Sequence, residues 1–477
     1  MPSALDDAER LIRDFARATN LQVAGRPFRI ARSDAVGAAL RGMLLALGAR
    51  ERASGTVRGV VEFGLRADGT EDTLLDGAPL PQRGDAAGRI AFAGAHMPTA
   101  HAMAQHLAAQ HPDGLQGITV GVAMMLEPKT ANLALLLRSA GATVDVYAHP
   151  DETDGDVAAA LRTLGIPVTA DATLTGSAER TAALTWLRQG HNVIMDDGSH
   201  LVRLAHESAP EVVRGWIGVT EETTSGLRPL RAMAAAGTLA TPVIAVNDAA
   251  TKTSFDNRYG TGQSCVFAIG DVLASVGLTV RDQPALVIGY GPVGQGVAAH
   301  LRALGVEVRV AETDPVRALL ASHDGLEVGT AERLGRGALV ISATGVRGTV
   351  TARTVRDARI VAVAGGVPGE VDLTDASWER LAPHVQRTGD TLVLDRGGCI
   401  NITAAEGNPI EIMDLSFATQ LAGLSFLLSD RPGIGVHPLP DRLVADVALA
   451  AARTRGIEVA PTTLQSTDSD WRSTRYR

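Results

Sequence analysis

The chain has 477 residues and a mass of 49.6 kDa, too long for one ordinary core and expected to form two or three domains. Hydrophobic residues make up 45%, charged residues 20%, and 44 Lys plus Arg stand against 53 Asp plus Glu, for a charge of −9. These are globular values with no basic excess to hold a phosphate polymer, so no nucleic-acid partner is expected.

Two cysteines, Cys265 and Cys399, exclude a disulfide scaffold and a four-cysteine zinc site. The start, MPSALDDAERLIRDF, is acidic and amphipathic rather than secretory. No run of about 18 apolar residues stands out, so a cytoplasmic chain without membrane contact is expected. Only two of the basic residues are lysine, Lys129 and Lys252. Codon bias toward arginine explains the skew. A lysine that must lose a proton cannot drift to arginine, because guanidinium stays charged. Both lysines are therefore candidate site residues.

Residues 1–95 read as a helix-rich start and then a polar, Gly-rich stretch around Arg66 to Gly88, an extension without visible chemistry. His96, His101, His106 and His111 recur at spacings of five, which do not stay on one helical face, and have no interleaved carboxylate, so no metal site is expected. From Gly117 short apolar strands alternate with helical segments: ITVGVAMM, ATVDVYA, GIPVTA, NVIMDDG, GWIGVTEETTSG and TPVIAVNDAA. This pattern predicts a parallel sheet covered on both faces. Asp196, Asp197, Glu221, Glu222, Asn247 and Asp248 fall at the carboxyl ends of such strands, where open α/β sheets place ligands.

The segment Val246 to Gly260 concentrates a lysine, an aspartate and two asparagines. If it opens a helix, Lys252 and Asp256 share one face at i and i+4. A second region follows. The strand PALVI ends in Gly289-x-Gly291-x-x-Gly294, a helix begins at Pro292 and Val293, and a second strand ends at Glu312. Gly289 allows the tight turn, Gly291 lets pyrophosphate approach the backbone, and Gly294 allows close helix–strand packing. The helix N-terminus receives the phosphates. Glu312 accepts from the adenosine ribose and prefers NAD over NADP. The fold class is thus α/β: a Rossmann-like NAD domain, a second doubly wound α/β substrate domain and a short C-terminal tail.

Several motifs in one order carry a resemblance: DDG at Asp196, EETTSG at Glu221, VND…TK…FDNRYG, GYGPVGQG with AETDP, and the tail Trp471 to Arg477. The chain resembles the S-adenosylhomocysteine hydrolase family over about residues 95–477. The resemblance implies a substrate domain over 96–262 completed by about 410–455, an NAD domain over 263–409, and a tail over 456–477 that reaches a neighbouring subunit. A homodimer or homotetramer follows from it. It also implies a redox-neutral cycle. Hydride leaves the ribose C3′ of a small nucleoside substrate, the C4′ proton is removed, the 5′ substituent departs, and hydride returns.

By resemblance, Lys252 and Asp256 stand at the 3′-hydroxyl and C4′, and Asp197 and Glu222 at the sugar and leaving-group side. Thr223, Thr224, Ser225, Asn257, Thr344, Gly345, Asn401, Arg472 and Tyr476 match cofactor positions. Thr223 and Met413 also match substrate positions. Lysine acts as a base only if burial lowers its pKa from about 10.4.

The departures lie at the other end of the substrate. The family's 5′-end histidine aligns with Met125, which cannot carry a proton. Its adenine-reading glutamate aligns with Lys129, a nearby threonine with Glu127, an adenine-side histidine with Asn408, and a cofactor-side histidine with Gly366. The sequence favours dehydration of an adenosine-like nucleoside across C4′ and C5′, with Glu127, Lys129 or His200 protonating the departing oxygen. S-Adenosylhomocysteine hydrolysis is the alternative, and a non-catalytic NAD- or nucleotide-binding regulator the second alternative.

Overall fold

The computed structural model describes residues 3–52, 58–81, 84–110 and 114–460. The first helix, Ala4–Thr19, opens with a capping box in which Ser3 and Asp6 satisfy each other's backbone N–H. Five strands follow: β1 (Pro27–Ala31), β2 (Arg50–Glu51), β3 (Val61–Leu65), β4 (Glu71–Leu75) and β5 (Ala78–Pro79). They form a sheet of order β2-β1-β3-β4-β5. This corrects the reading of a helix followed by a polar stretch. The Gly-rich segment is the turn of the β3–β4 hairpin, closed by Arg66 N–H donating to Thr70 O at 2.8 Å. Val61 and Phe63 point inward and Glu62 and Gly64 do not, so the alternation is real but only five residues long. Phe15, Phe28 and Phe63 are buried in a core continuous with the rest of the chain.

Six parallel strands form the second sheet: β6 (Thr119–Ala123), β7 (Thr143–Tyr147), β8 (Val168–Thr169), β9 (Val193–Asp196), β10 (Gly218–Glu221) and β11 (Pro242–Ala245). A third sheet holds β12 (Ala285–Ile288), β13 (Val308–Ala311), β14 (Glu327–Val328), β15 (Leu339–Ser342), β16 (Ile360–Val363), β17 (Glu379–Ala382), β18 (Val385–Thr388) and β19 (Thr391–Leu394). Its order is β14-β13-β12-β15-β16-β19-β18-β17, parallel except at the β17–β18–β19 edge. The last strand, β20 (Gly435–Pro438), returns to the second sheet beside β11, giving the order β20-β11-β10-β9-β6-β7-β8. The order reverses between β6 and β9. There the following loops diverge to opposite faces and leave a crevice for a ligand.

The chain passes from the second sheet to the third through the helix Thr261–Ala274 and returns through the helix Ile410–Asp430. By length and composition the second of these could cross a membrane, contrary to the reading from sequence. Here it is mostly buried in the fold, which explains its apolar surface. The segment 20–26 ties both crossings together. Val23 N–H donates to Gln263 Oε1 at 2.8 Å, and Gln263 Nε2 donates to Leu21 O at 3.0 Å. Ile410 N–H donates to Asn20 O at 2.8 Å, Gln22 N–H donates to Glu411, and Arg26 pairs with Glu411. Replacing Gln263 by alanine strands two buried backbone groups. The expected cost is about 2 kcal/mol, read as a lower urea midpoint with an unchanged slope.

Candidate active site

The loop after β12 has the form the glycine spacing requires. Gly289 has φ +94°, and a Cβ on Gly294 would stand 1.9 Å from Gly289 O. A Cβ on Gly291 would meet only the Arg317 guanidinium, at 3.5 Å. Open space in front of a helix start that begins with Pro292 and Val293, beside a cation, fits a pyrophosphate. Glu312, just beyond β13, accepts from the N–H groups of Tyr290 and Thr313, both at 2.6 Å, and of Asp314 at 3.0 Å. Burial opposes its charge. These backbone donors outweigh burial and hold the carboxyl below its ordinary pKa. It remains an ionised acceptor, as a ribose-binding acid needs to be.

Across the cleft, β11 runs through a single turn, Val246–Asp248, into the short helix Ala250–Thr253. The chain then widens into a π-type turn, Asp256–Gly260. A regular helix would place only Asp256 beside Lys252. The wider turn brings both Asp256 and Asn257 to it, each accepting from Lys252 Nζ at 2.9 Å. Asn257 donates to Asn247 Oδ1 at 3.2 Å, and Asn247 donates to Thr224 Oγ1 at 2.9 Å. The Lys252 side chain is only 4% exposed.

The returning helix Ile410–Asp430 completes this cluster with residues that sequence reasoning missed. Ser416 Oγ donates to Asp256 Oδ2 at 3.1 Å, and Gln420 Nε2 donates to Glu222 Oε2 at 2.8 Å. A signal was available: Ser416 and Gln420 are polar at i and i+4 in the middle of a largely buried helix. Glu222 Oε1 is buried with no donor among the described residues, leaving an acceptor for a ligand hydroxyl. Glu221 is used differently. Its Oε1 accepts from the N–H groups of Gly198 and Thr223 and from Thr223 Oγ1, which shapes the turn that holds Thr223, Thr224 and Ser225.

The carboxyls outnumber the cation. Burial raises Glu222 to about 8 against the pull of Lys252, and it raises Asp197 and Asp196 as well. Burial alone would lower Lys252. The carboxylates of Asp256, Glu222 and Asp197 reverse this and carry it above its ordinary value. The expectation of a lysine lowered by burial is corrected: in this arrangement Lys252 is a firmly held ammonium.

A model of the NAD-binding domain of S-adenosyl-L-homocysteine hydrolase matches residues 257–419. The adenosylhomocysteinase of Thermotoga maritima is 36% identical over 388 residues, covering 78% of this chain and 95% of that protein. The adenosylhomocysteinase of Archaeoglobus fulgidus is 38% identical over 381 residues, covering 75% and 92%. The S-inosyl-L-homocysteine hydrolase of Methanothermobacter thermautotrophicus is 33% identical over 390 residues, covering 78% and 92%. The chain belongs to the S-adenosyl-L-homocysteine hydrolase family. It is an enzyme of that family, and its cofactor is NAD.

The remaining positions singled out from the resemblance divide into two groups. On the cofactor side, Thr344 Oγ1 bonds Thr349 and donates to the buried Glu370 at 3.2 Å. Gly345 O accepts from Arg228 Nη1 at 2.8 Å, which joins the second and third sheets. A Cβ on Gly366 would meet only Ser225 Oγ, at 3.7 Å, so space stands open where the family has a histidine. Arg472 and Tyr476 lie outside the described residues, as does His111.

On the substrate side the structure departs from expectation. Glu127 caps the helix Pro128–Ser139, accepting from the N–H groups of Lys129 and Thr130, and it pairs with Lys129 Nζ at 2.6 Å. Lys129 also donates to Glu406 O at 2.8 Å. Both are buried and engaged as a brace rather than open to a base. Asn408 donates to Asp256 Oδ1 and Thr261 Oγ1 and accepts from Ser264 and Asn401. It secures Asp256. Asn401 Oδ1 accepts from Cys399 Sγ at 3.1 Å. Met125 touches the Gly407 turn, and Met413 packs half-buried on the core. His200 accepts at Nδ1 from Arg203 at 3.0 Å on the rim of a groove. Burial, with His149 and Arg203 acting in the same direction, lowers it to about 4. Uncharged near neutrality, it does not fill the expected role of proton donor.

Two outcomes follow. Gly294→Ala places a methyl inside the Gly289 carbonyl, so NAD retained through gel filtration is expected to fall at least about tenfold. Glu222 keeps its proton in the folded state up to about pH 8, while in the unfolded chain it releases it near 4.5. Stability therefore falls as pH rises through this window. Glu222→Gln is expected to flatten that decline in urea midpoints.

Proposed function

We propose that this enzyme cleaves the C5′–S bond of an S-nucleosyl-L-homocysteine in a redox-neutral, NAD-dependent cycle. The observation that carries the reading is the buried Lys252–Asp256–Asn257 cluster, with the bare Glu222 oxygen beside it, at the strand ends facing the dinucleotide loop. NAD, when bound, takes a hydride from the sugar C3′ and later returns it. The chain's own residues manage protons and charge. The Lys252 ammonium donates to the 3′ oxygen and stabilises the negative charge that develops there when C4′ loses its proton. Glu222, raised to about 8 by burial, is matched to accept and return a proton near neutrality. Asp256, secured by Asn408 and Ser416, positions Lys252.

The names of the relatives support thioether hydrolysis over the dehydration that the sequence favours, with adenine and hypoxanthine as the bases to test. Dehydration of a free nucleoside is the second reading. Its support is that Met125 carries no proton and that Glu127 and Lys129 are locked to each other.

The test is incubation of the NAD-loaded protein with S-adenosyl-L-homocysteine, S-inosyl-L-homocysteine, adenosine and inosine, followed by mass spectrometry. Homocysteine release, lowered at least about 100-fold in Lys252→Ala, is the expected result. Loss of water from a free nucleoside without thiol release selects the second reading.

A further inference from the structure

Strands β6 and β7 pair at Ala123 and Tyr147 and meet again at a bridge between Leu126 and Thr153. Between these points one chain holds only Met124 and Met125, while the other holds Ala148 to Glu152. The longer side bulges, but Met124 N–H to Tyr147 O at 3.3 Å and Leu126 N–H to Glu152 O at 2.9 Å keep the two stitched together. His149 therefore stands just beyond the carboxyl end of β7, in the bulge opposite Met124 and Met125.

Its surroundings are those of a proton carrier. Nδ1 lies 3.1 Å from Glu179 Oε1, on the helix Gly176–Leu187. A carboxylate only accepts, so Nδ1 carries the hydrogen and Nε2 is left to exchange a proton. The ring meets Tyr147 and His200 edge-on, each at 5.3 Å. With them, Glu179, Arg180 and Arg203, it lines an open groove of about 510 Å³. The groove reaches the end of β9: His200, edge-on to His149, follows Asp197-Gly198-Ser199 directly, and a Cβ on Gly198 would meet its ring at 2.9 Å. The neighbouring His200 is excluded by its partner: Arg203 occupies its Nδ1, and a guanidinium opposes a second positive charge. His149 faces a carboxylate instead.

We propose that His149, oriented by Glu179, carries the proton to and from the leaving atom at C5′, a task that Met125 cannot perform. This rests on the reading under Proposed function and serves both leaving groups considered there. The step balances without net oxidation. The electron pair left at C4′ by loss of its proton forms the C4′–C5′ double bond. The C5′–S bond breaks, and its pair takes a proton from the His149 imidazolium. Neutral His149 then accepts a proton from the water that adds to C5′, the double-bond pair returns to C4′, and C4′ regains a proton. His149 is the catalytic residue here and Glu179 its positioning residue.

The test separates the two halves of the cycle. The NAD-loaded protein is incubated with S-adenosyl-L-homocysteine in deuterated water, and both deuterium at C4′ and released homocysteine are measured. In His149→Gln, release is expected to fall at least about 100-fold while C4′ exchange persists. Glu179→Gln shows the same split to a smaller degree, and imidazole restores release to His149→Ala. The proposal is overturned if exchange and release fall together in a His149 variant that still retains NAD. It is also overturned if neither falls, or if His200→Gln produces the split instead. Absence of both signals from the unaltered protein on every nucleoside tested removes the parent reading, and this one with it.

Discussion

One ammonium group, on Lys252, is held out of water among carboxyls, and much of the architecture follows from that constraint. An ion buried without partners costs several kcal/mol, and removing one member of a buried pair leaves the other stranded. Lys252 is therefore met by Asp256 and Asn257 from one widened turn. Asp256 is in turn met by Asn408 and Ser416 from the returning chain. The returning helix has to be buried to make these contacts. Its apolar composition, which by itself resembles a membrane segment, is the consequence. The same helix brings Gln420 to Glu222 and leads into β20, which closes the second sheet. The N-terminal segment 20–26 then grips both crossing helices at the points where they enter and leave this cluster.

The substitutions that set this chain apart from the family pattern are coupled to that centre. Asn408 is part of the net that holds Asp256, so the change there bears on the reacting end of the site as well as on the base. Glu127 and Lys129 form a buried pair, in which loss of either would leave the other charge stranded. Gly366 leaves a gap facing Ser225 rather than a new side chain. Burial raises Glu222 to about 8 and raises Asp197 as well, while the surrounding carboxyls hold Lys252 above its ordinary value.

The nucleotide-binding half was legible because its chemistry is local. Gly289, Gly291, Gly294 and Glu312 lie within one strand–helix–strand unit, where Gly289 takes a positive φ, Gly291 leaves open space and Gly294 avoids the Gly289 carbonyl. The parallel sheets were legible for a related reason: continuous apolar strands ending in acids indicate burial on both faces. The N-terminal sheet was not, because its strands are short and its hairpin turn is rich in glycine and charge. The π-type turn at Asp256 was also hidden, since the i, i+4 spacing of Lys252 and Asp256 suits an ordinary helix equally well.

Residue type and spacing alone singled out the candidate groups: an isolated lysine, paired acids at strand ends and a phosphate-binding loop. They also showed that the position of Met125 lacks a proton. Direction and charge were left to the tertiary structure. Whether Lys252 is raised or lowered depends on how many carboxyls surround it, and those arrive from segments as far apart as Asp197, Glu222 and Asp256. That His149 faces a carboxylate depends on the loop after β7 meeting the helix Gly176–Leu187, thirty residues on. Electrostatic energy depends on distance in space, and a chain read in order does not contain the distances between residues that only folding brings together.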